Sequence, residues 1–370
     1  MSSTNETPGS VHITHVPADC GSIIPGKSKA TQAFETVDVF AKFCRAHVSI
    51  ADCSTVTPSL YHPSPFVHGN IRNRSGNLTL LRNLRDSMRK SIAKYPNAFQ
   101  LILGGECCML PTILKTFQEQ HKNKELGLIY IDADTDMSHP DDPDWNGYFA
   151  SMTMTQLMER PEALTDDPDA TDPLFGEEIA EGKHTVLFGT NLAHPGNKPE
   201  HFIYLSQNGF RVLTSREVAS DPTHSAHQAL QHLSPTITDV NAIWVHLDID
   251  SIDPGEFPLA NVPNFTGIRF EQMMEALEIL LADERVLGLT VAEVNPDHDP
   301  GLHMTTKLVD AIVAMLGARF AVEASSSDGS DKMEQSDKAD ELDIGYDANV
   351  DKRCNTATMS DTSTDRTLGA

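Results

Sequence analysis

The sequence predicts an α/β protein of three layers, a mainly parallel β-sheet between two layers of helices, and three observations carry that expectation. Short apolar and β-branched runs alternate with longer amphipathic stretches through the middle of the chain. The runs are apolar almost throughout rather than at every second residue, which marks strands buried on both faces. No repeat of fixed period is present, so a solenoid is disfavoured.

The elements follow in order. An amphipathic pattern from Leu80 to Tyr95 predicts a helix, and FQLIL from Phe99 a strand that runs into Gly104-Gly105. Leu110 to His121 is the next helix, and LGLIYID from Leu126 the next strand. HTVLFG at His184 and FRVL at Phe210 are strands, followed by a helix over His224 to Leu233. AIWVHLDI at Ala242 and VLGLTVAEV at Val286 are strands that flank a helix over Phe270 to Leu281, and Met304 to Phe320 is the last helix.

At 370 residues the chain exceeds the usual domain length, yet α/β folds often use roughly 250 to 300 residues as one unit. One domain is expected over residues 11–323. Residues 1–10 read as a flexible N-terminus. From Ala324 onward the composition collapses to Ser, Asp, Thr, Lys and Asn, with 11 acids against 5 bases for a net −6, and a disordered acidic tail is expected over 324–370.

The formal charge of −25 and pI near 4.9 argue against nucleic acid and anionic membranes as partners. The N-terminal stretch lacks the basic and apolar regions of a secretory signal, and no window holds the roughly 18 apolar residues of a membrane span. Six scattered cysteines without a CxxC pair suit a reduced compartment. A cytoplasmic protein is expected.

Chemistry concentrates at two strand ends. Side chains two apart on a strand share a face, so Asp132 and Asp134 of LIYIDADTD project together, as do Asp248 and Asp250 of VHLDIDSIDP. Asp136 joins them from the following loop. Ligands of open α/β sheets sit outside the carboxyl ends of the strands. Two carboxylates about 4 Å apart repel by roughly 4 kcal/mol at an effective dielectric near 20, so such a cluster calls for a multivalent cation. Hard carboxylate oxygens favour Mg, Ca or Mn. A third element, LILGGECCMLP, brings Glu106, Cys107 and Cys108 to the end of another strand.

The order GGEC, DADTD, HLDIDSIDP and AEVNP resembles the arginase/agmatinase (ureohydrolase) family, whose members carry GGDH, DAHxD, SxDxDxxDP and EVxP. The resemblance spans roughly Leu101 to Phe320. It implies an arginase-like α/β/α fold, a small cationic guanidino-type substrate, metal-assisted hydrolysis of a linear C–N bond with release of urea, and homo-oligomers. It also implies Mn2+, two ions or a single one. By position, Asp132 and Asp248 resemble bridging ligands, Asp136 a ligand of one ion and Asp250 of the other. Glu293 resembles the glutamate that faces the guanidinium, and Asp299 a recurrent acid of the same loop.

Both metal-binding histidines of the family pattern are replaced, by Cys107 and by Asp134. Asp134 is retained as a hard ligand and Cys107 as a soft one. The loop SHPDDPDWNGYFASM places Phe149 or Ala150 where arginases carry a proton-relay histidine, leaving His139 and His298 as candidate substitutes. Asp136 is the expected acid for the leaving amine, acting through water. The alternative is a family member that has lost catalysis and serves as a binding or regulatory protein.

Overall fold

The computed structural model describes residues 9–63, 67, 70–158, 179–234 and 236–330. Eight strands form one sheet: β1 (Ser10–His15), β2 (Ser49–Thr55), β3 (Phe99–Leu103), β4 (Leu126–Ile131), β5 (Thr185–Thr190), β6 (Arg211–Thr214), β7 (Ala242–Asp248) and β8 (Val286–Ala292). Their order across the sheet is β2-β1-β3-β8-β7-β4-β5-β6, and every pairing is parallel. The chain therefore leaves β3, skips a gap two strands wide to lay down β4, and returns at the end to fill the gap with β7 and β8. That reversal of order is where an open parallel sheet forms its ligand crevice.

The central strands β3, β4, β5 and β7 are buried at every residue. Their period of two divides the apolar side chains between two cores. Leu101, Leu103, Ile129, Ile131, Val245 and Leu247 face the helices Phe270–Ala282 and His303–Ser330, while Ile102, Leu128, Tyr130 and Trp244 face the helices Arg74–Lys94 and Leu110–Gln120. Helix Arg74–Lys94 meets that second core with Leu80, Leu84, Met88 and Ile92, one residue per turn. Trp244 finds its volume above a glycine, since a Cβ on Gly288 of β8 would lie 2.4 Å from the indole ring.

The three-layer expectation is met, and all six expected strands are present as β3 to β8. The structure adds β1 and β2. The last helix runs to Ser330, past the expected boundary at 323, and residues 331–370 lie outside the described residues. Among the described residues no helix is long and apolar enough to cross a membrane.

Candidate metal centre

The four motif segments follow four neighbouring strands, β3, β8, β7 and β4, so their side chains meet over the middle of the sheet. Register does the rest. Tyr130 pairs with His246 and Ile131 with Leu247, which brings Asp132 and Asp248 side by side one residue further on. Both strand tips close in the same way: Asp134 N–H donates to Asp132 Oδ1 at 2.7 Å, and Asp250 N–H donates to Asp248 Oδ1 at 2.7 Å. Ala133 N–H donates to Asp250 Oδ1 at 3.3 Å and ties one tip to the other.

Asp132, Asp248 and Asp250, all buried, each offer an oxygen within 4.8 Å of the others. Cys107 enters from the short turn Cys107–Met109 after β3; its Sγ donates to Asp248 Oδ2 at 2.8 Å and lies 3.9 Å from Asp132 Oδ2. Asp136 accepts from the Tyr130 hydroxyl at 2.6 Å. Asp134 Oδ2 lies 3.3 Å from His194 Nδ1. Asp136 and Glu293 hold left-handed backbone conformations at φ 49° and 65°, a strained choice for acidic residues that recurs at functional sites. Glu293 is anchored by its own N–H to Gly105 O and accepts from Cys107 N–H at 3.2 Å.

The arginase family model matches residues 10–320. The chain belongs to the arginase family. It is similar to an arginase of Bacillus caldovelox, 22% identical over 314 residues that cover 84% of this chain and 97% of that protein. It is also similar to a formimidoylglutamase of Staphylococcus haemolyticus, 23% identical over 66% of this chain and 69% of that protein. In fold it matches the crystal structure of Entamoeba histolytica arginase with L-ornithine at a TM-score of 0.70, with 19% identity, 84% of this chain and 100% of that chain covered.

Against the arginase pattern, the structure brings Cys107, Asp132, Asp134, Asp136, Asp248, Asp250 and Glu293 to one cavity, also lined by Tyr148, Ala150, Ser151, His194 and Ala260 to Val262. His139 is not among the lining residues; its Nδ1 lies 3.4 Å from exposed Asp141. His298 is exposed. Asp299 serves the last helix as an N-terminal cap, accepting from His303 N–H and Thr305 N–H. Ala150 occupies the cavity wall and Phe149 packs with Trp145 and Met152.

Three neighbours were not among the expected site residues. His246, two residues before Asp248 and on the same strand face, lies with Nε2 3.1 Å from Cys107 Sγ, its ring stacked on Tyr130 at 5.0 Å. His194 comes from the loop after β5, which no motif marks. Lys27, fully buried, places Nζ 3.1 Å from Glu106 Oε1 and 3.0 Å from Glu293 Oε2. Its backbone is held by Asp19, which accepts from Gly26 N–H and Ser28 Oγ.

Burial, followed by mutual repulsion, pushes Asp132, Asp136 and Asp248 well above the usual carboxylate range. Asp250 is pushed up to about 7 by burial, with Glu293 and Asp134 adding to it and His194 opposing. Burial also raises Asp134, but the His194 imidazole and neighbouring N–H groups outweigh it and hold that carboxyl below its usual range. The donor set thus fits a bound divalent cation: buried oxygens converge with too little positive charge of their own.

Proposed function

We propose that this arginase-family chain is a metal-dependent, cytoplasmic hydrolase acting on a linear C–N bond of a guanidino or amidino compound, with urea as a product of guanidines. The observation that carries the reading is the convergence of buried Asp132, Asp248 and Asp250 within 4.8 Å at the carboxyl ends of neighbouring strands. Asp132, Asp134, Asp136, Asp248 and Asp250 would hold the metal, and manganese is the ion the family resemblance implies. A bound divalent ion would supply an activated water and polarise the carbon under attack.

The chain's own groups do the rest. Asp136, fixed by the Tyr130 hydroxyl, is positioned to pass a proton toward the leaving amine. Cys107 N–H donates to the Glu293 carboxylate and Gly105 O holds the Glu293 backbone N–H, which fixes that carboxylate at the cavity wall, where it orients a basic group. Elemental analysis of protein purified without chelator, beside Asp132→Asn with Asp248→Asn, tests the reading. About two ions per chain, lost in the variant, and urea or ammonia release from a guanidino and amidino panel are expected. Absence of any ion after Mn2+ loading overturns it.

A second reading, a binding protein without hydrolysis, draws on Lys27. Its ammonium already neutralises Glu293, the carboxylate that would otherwise orient a basic group. Firm metal binding with no turnover on that panel favours this second reading.

A further inference from the structure

We propose that one ion position of this centre is built from Cys107 Sγ, His246 Nε2 and a carboxylate oxygen of Asp132, and that it selects Zn2+ over Mn2+. The inference rests on the metal-centre reading above and concerns which ion the chain's own donors choose. The family pattern places a histidine at position 107; here a thiol stands there and an imidazole approaches from the neighbouring strand. Cys107, Asp132 and His246 offer ligand atoms within 4.8 Å of one another, and all are buried.

The geometry is close to what a tetrahedral ion requires. With Zn–S about 2.3 Å and Zn–N about 2.0 Å, tetrahedral angles separate the ligand atoms by about 3.5 Å. The sulfur lies 3.1 Å from His246 Nε2 and 3.9 Å from Asp132 Oδ2, each within about 0.4 Å of that separation. His246 is held for the role: it is fully buried, stacked flat on Tyr130, and its Nε2 faces the thiol. Its Nδ1 has no hydrogen-bond partner among the described residues.

Donor chemistry then decides the ion. Thiolate and imidazole suit borderline Zn2+, whereas Mn2+ favours oxygen. On binding, the Cys107 S–H proton leaves to solvent and a sulfur–metal bond forms with no change of oxidation state. The remaining carboxylates of the cavity, Asp134, Asp136, Asp248 and Asp250, are oxygen donors and keep the harder preference.

The test uses the full chain stripped of metal and loaded with Co2+, a spectroscopic stand-in for Zn2+. A sulfur-to-Co2+ charge-transfer absorption in the near ultraviolet is expected in the wild type, absent in Cys107→Ser, with visible bands altered in His246→Gln. In competition, the wild type is expected to retain Zn2+ over Mn2+ by at least tenfold more than Cys107→His, which restores the family residue and guards against a variant that fails to fold. Stoichiometric Co2+ without the sulfur band overturns the proposal and leaves the hydrolase reading standing. Zn2+/Mn2+ selectivity equal in wild type and Cys107→His also overturns it. No uptake of any divalent ion overturns both.

Discussion

Lys27 Nζ lies 3.0 Å from Glu293 Oε2 in a fully buried ion pair that also reaches Glu106. Burial alone would depress the Lys27 ammonium, but the two glutamates outweigh it and hold the group well above its usual range. Burial pushes Glu106 up to about 7 despite Lys27. Removing the cation strands two acids in the interior, so Lys27→Met is expected to cost about 3–5 kcal/mol. Adding Glu106→Gln should recover part of that loss. Urea titrations of both variants check this, and a Lys27→Met protein as stable as the wild type would sink the argument.

The same ion pair bears on ligands. With Lys27 in place, one Glu293 oxygen is engaged by an ammonium and the other by Cys107 N–H. The guanidinium ion is therefore expected to bind at least tenfold more tightly to Lys27→Met than to the wild type. Calorimetric titration with guanidinium distinguishes this from equal affinities.

Metal removal reverses the sign of one substitution. In chelator-treated protein, Asp132→Asn relieves repulsion among buried carboxylates and should raise stability by about 1–2 kcal/mol. With metal present it removes a ligand and should lower stability. Thermal melts with and without chelator test the crossover; a change of the same sign in both conditions argues against ion binding here.

Acid stability has a contributor on the neighbouring strand β1. Burial holds His12 and His15 on β1 near pKa 4, below the ordinary 6.5. The unfolded chain therefore binds more protons between pH 6.5 and 4, and stability falls as pH drops through that window. The loss levels off below pH 4 at up to ~3 kcal/mol per histidine. His12→Gln with His15→Gln should flatten this part of the stability profile, measured as denaturation midpoint against pH.

Packing makes a simpler prediction. A methyl on Gly288 meets the Trp244 ring, so Gly288→Ala should destabilise by about 1–3 kcal/mol, read as a lower denaturation midpoint.

Continuous apolar runs made β3 to β8 legible, and two Asp-x-Asp tips at their ends announced a cluster of buried carboxylates. β1 and β2 were not legible, because VHITH mixes histidines with apolar residues and SIADCST, on the sheet edge, carries no apolar run. His246 could have been found by the parity that found Asp250, since it stands two residues before Asp248 on the same face. Lys27 and His194 could not: they reach the centre from distant loops, and only tertiary packing sets their distances.

The sheet order also has a temporal side. Cys107 and Asp132 leave the ribosome after strands β3 and β4, between which two places stand open, and the wedge that fills them, β7 and β8, is synthesised last. Until the C-terminal third arrives, β3 and β4 lack the strands that pair with both, and the carboxylate cluster lacks Asp248 and Asp250. Non-local pairings of this kind slow folding. An ion captured then would act as a late latch between the N-terminal and C-terminal parts of the chain.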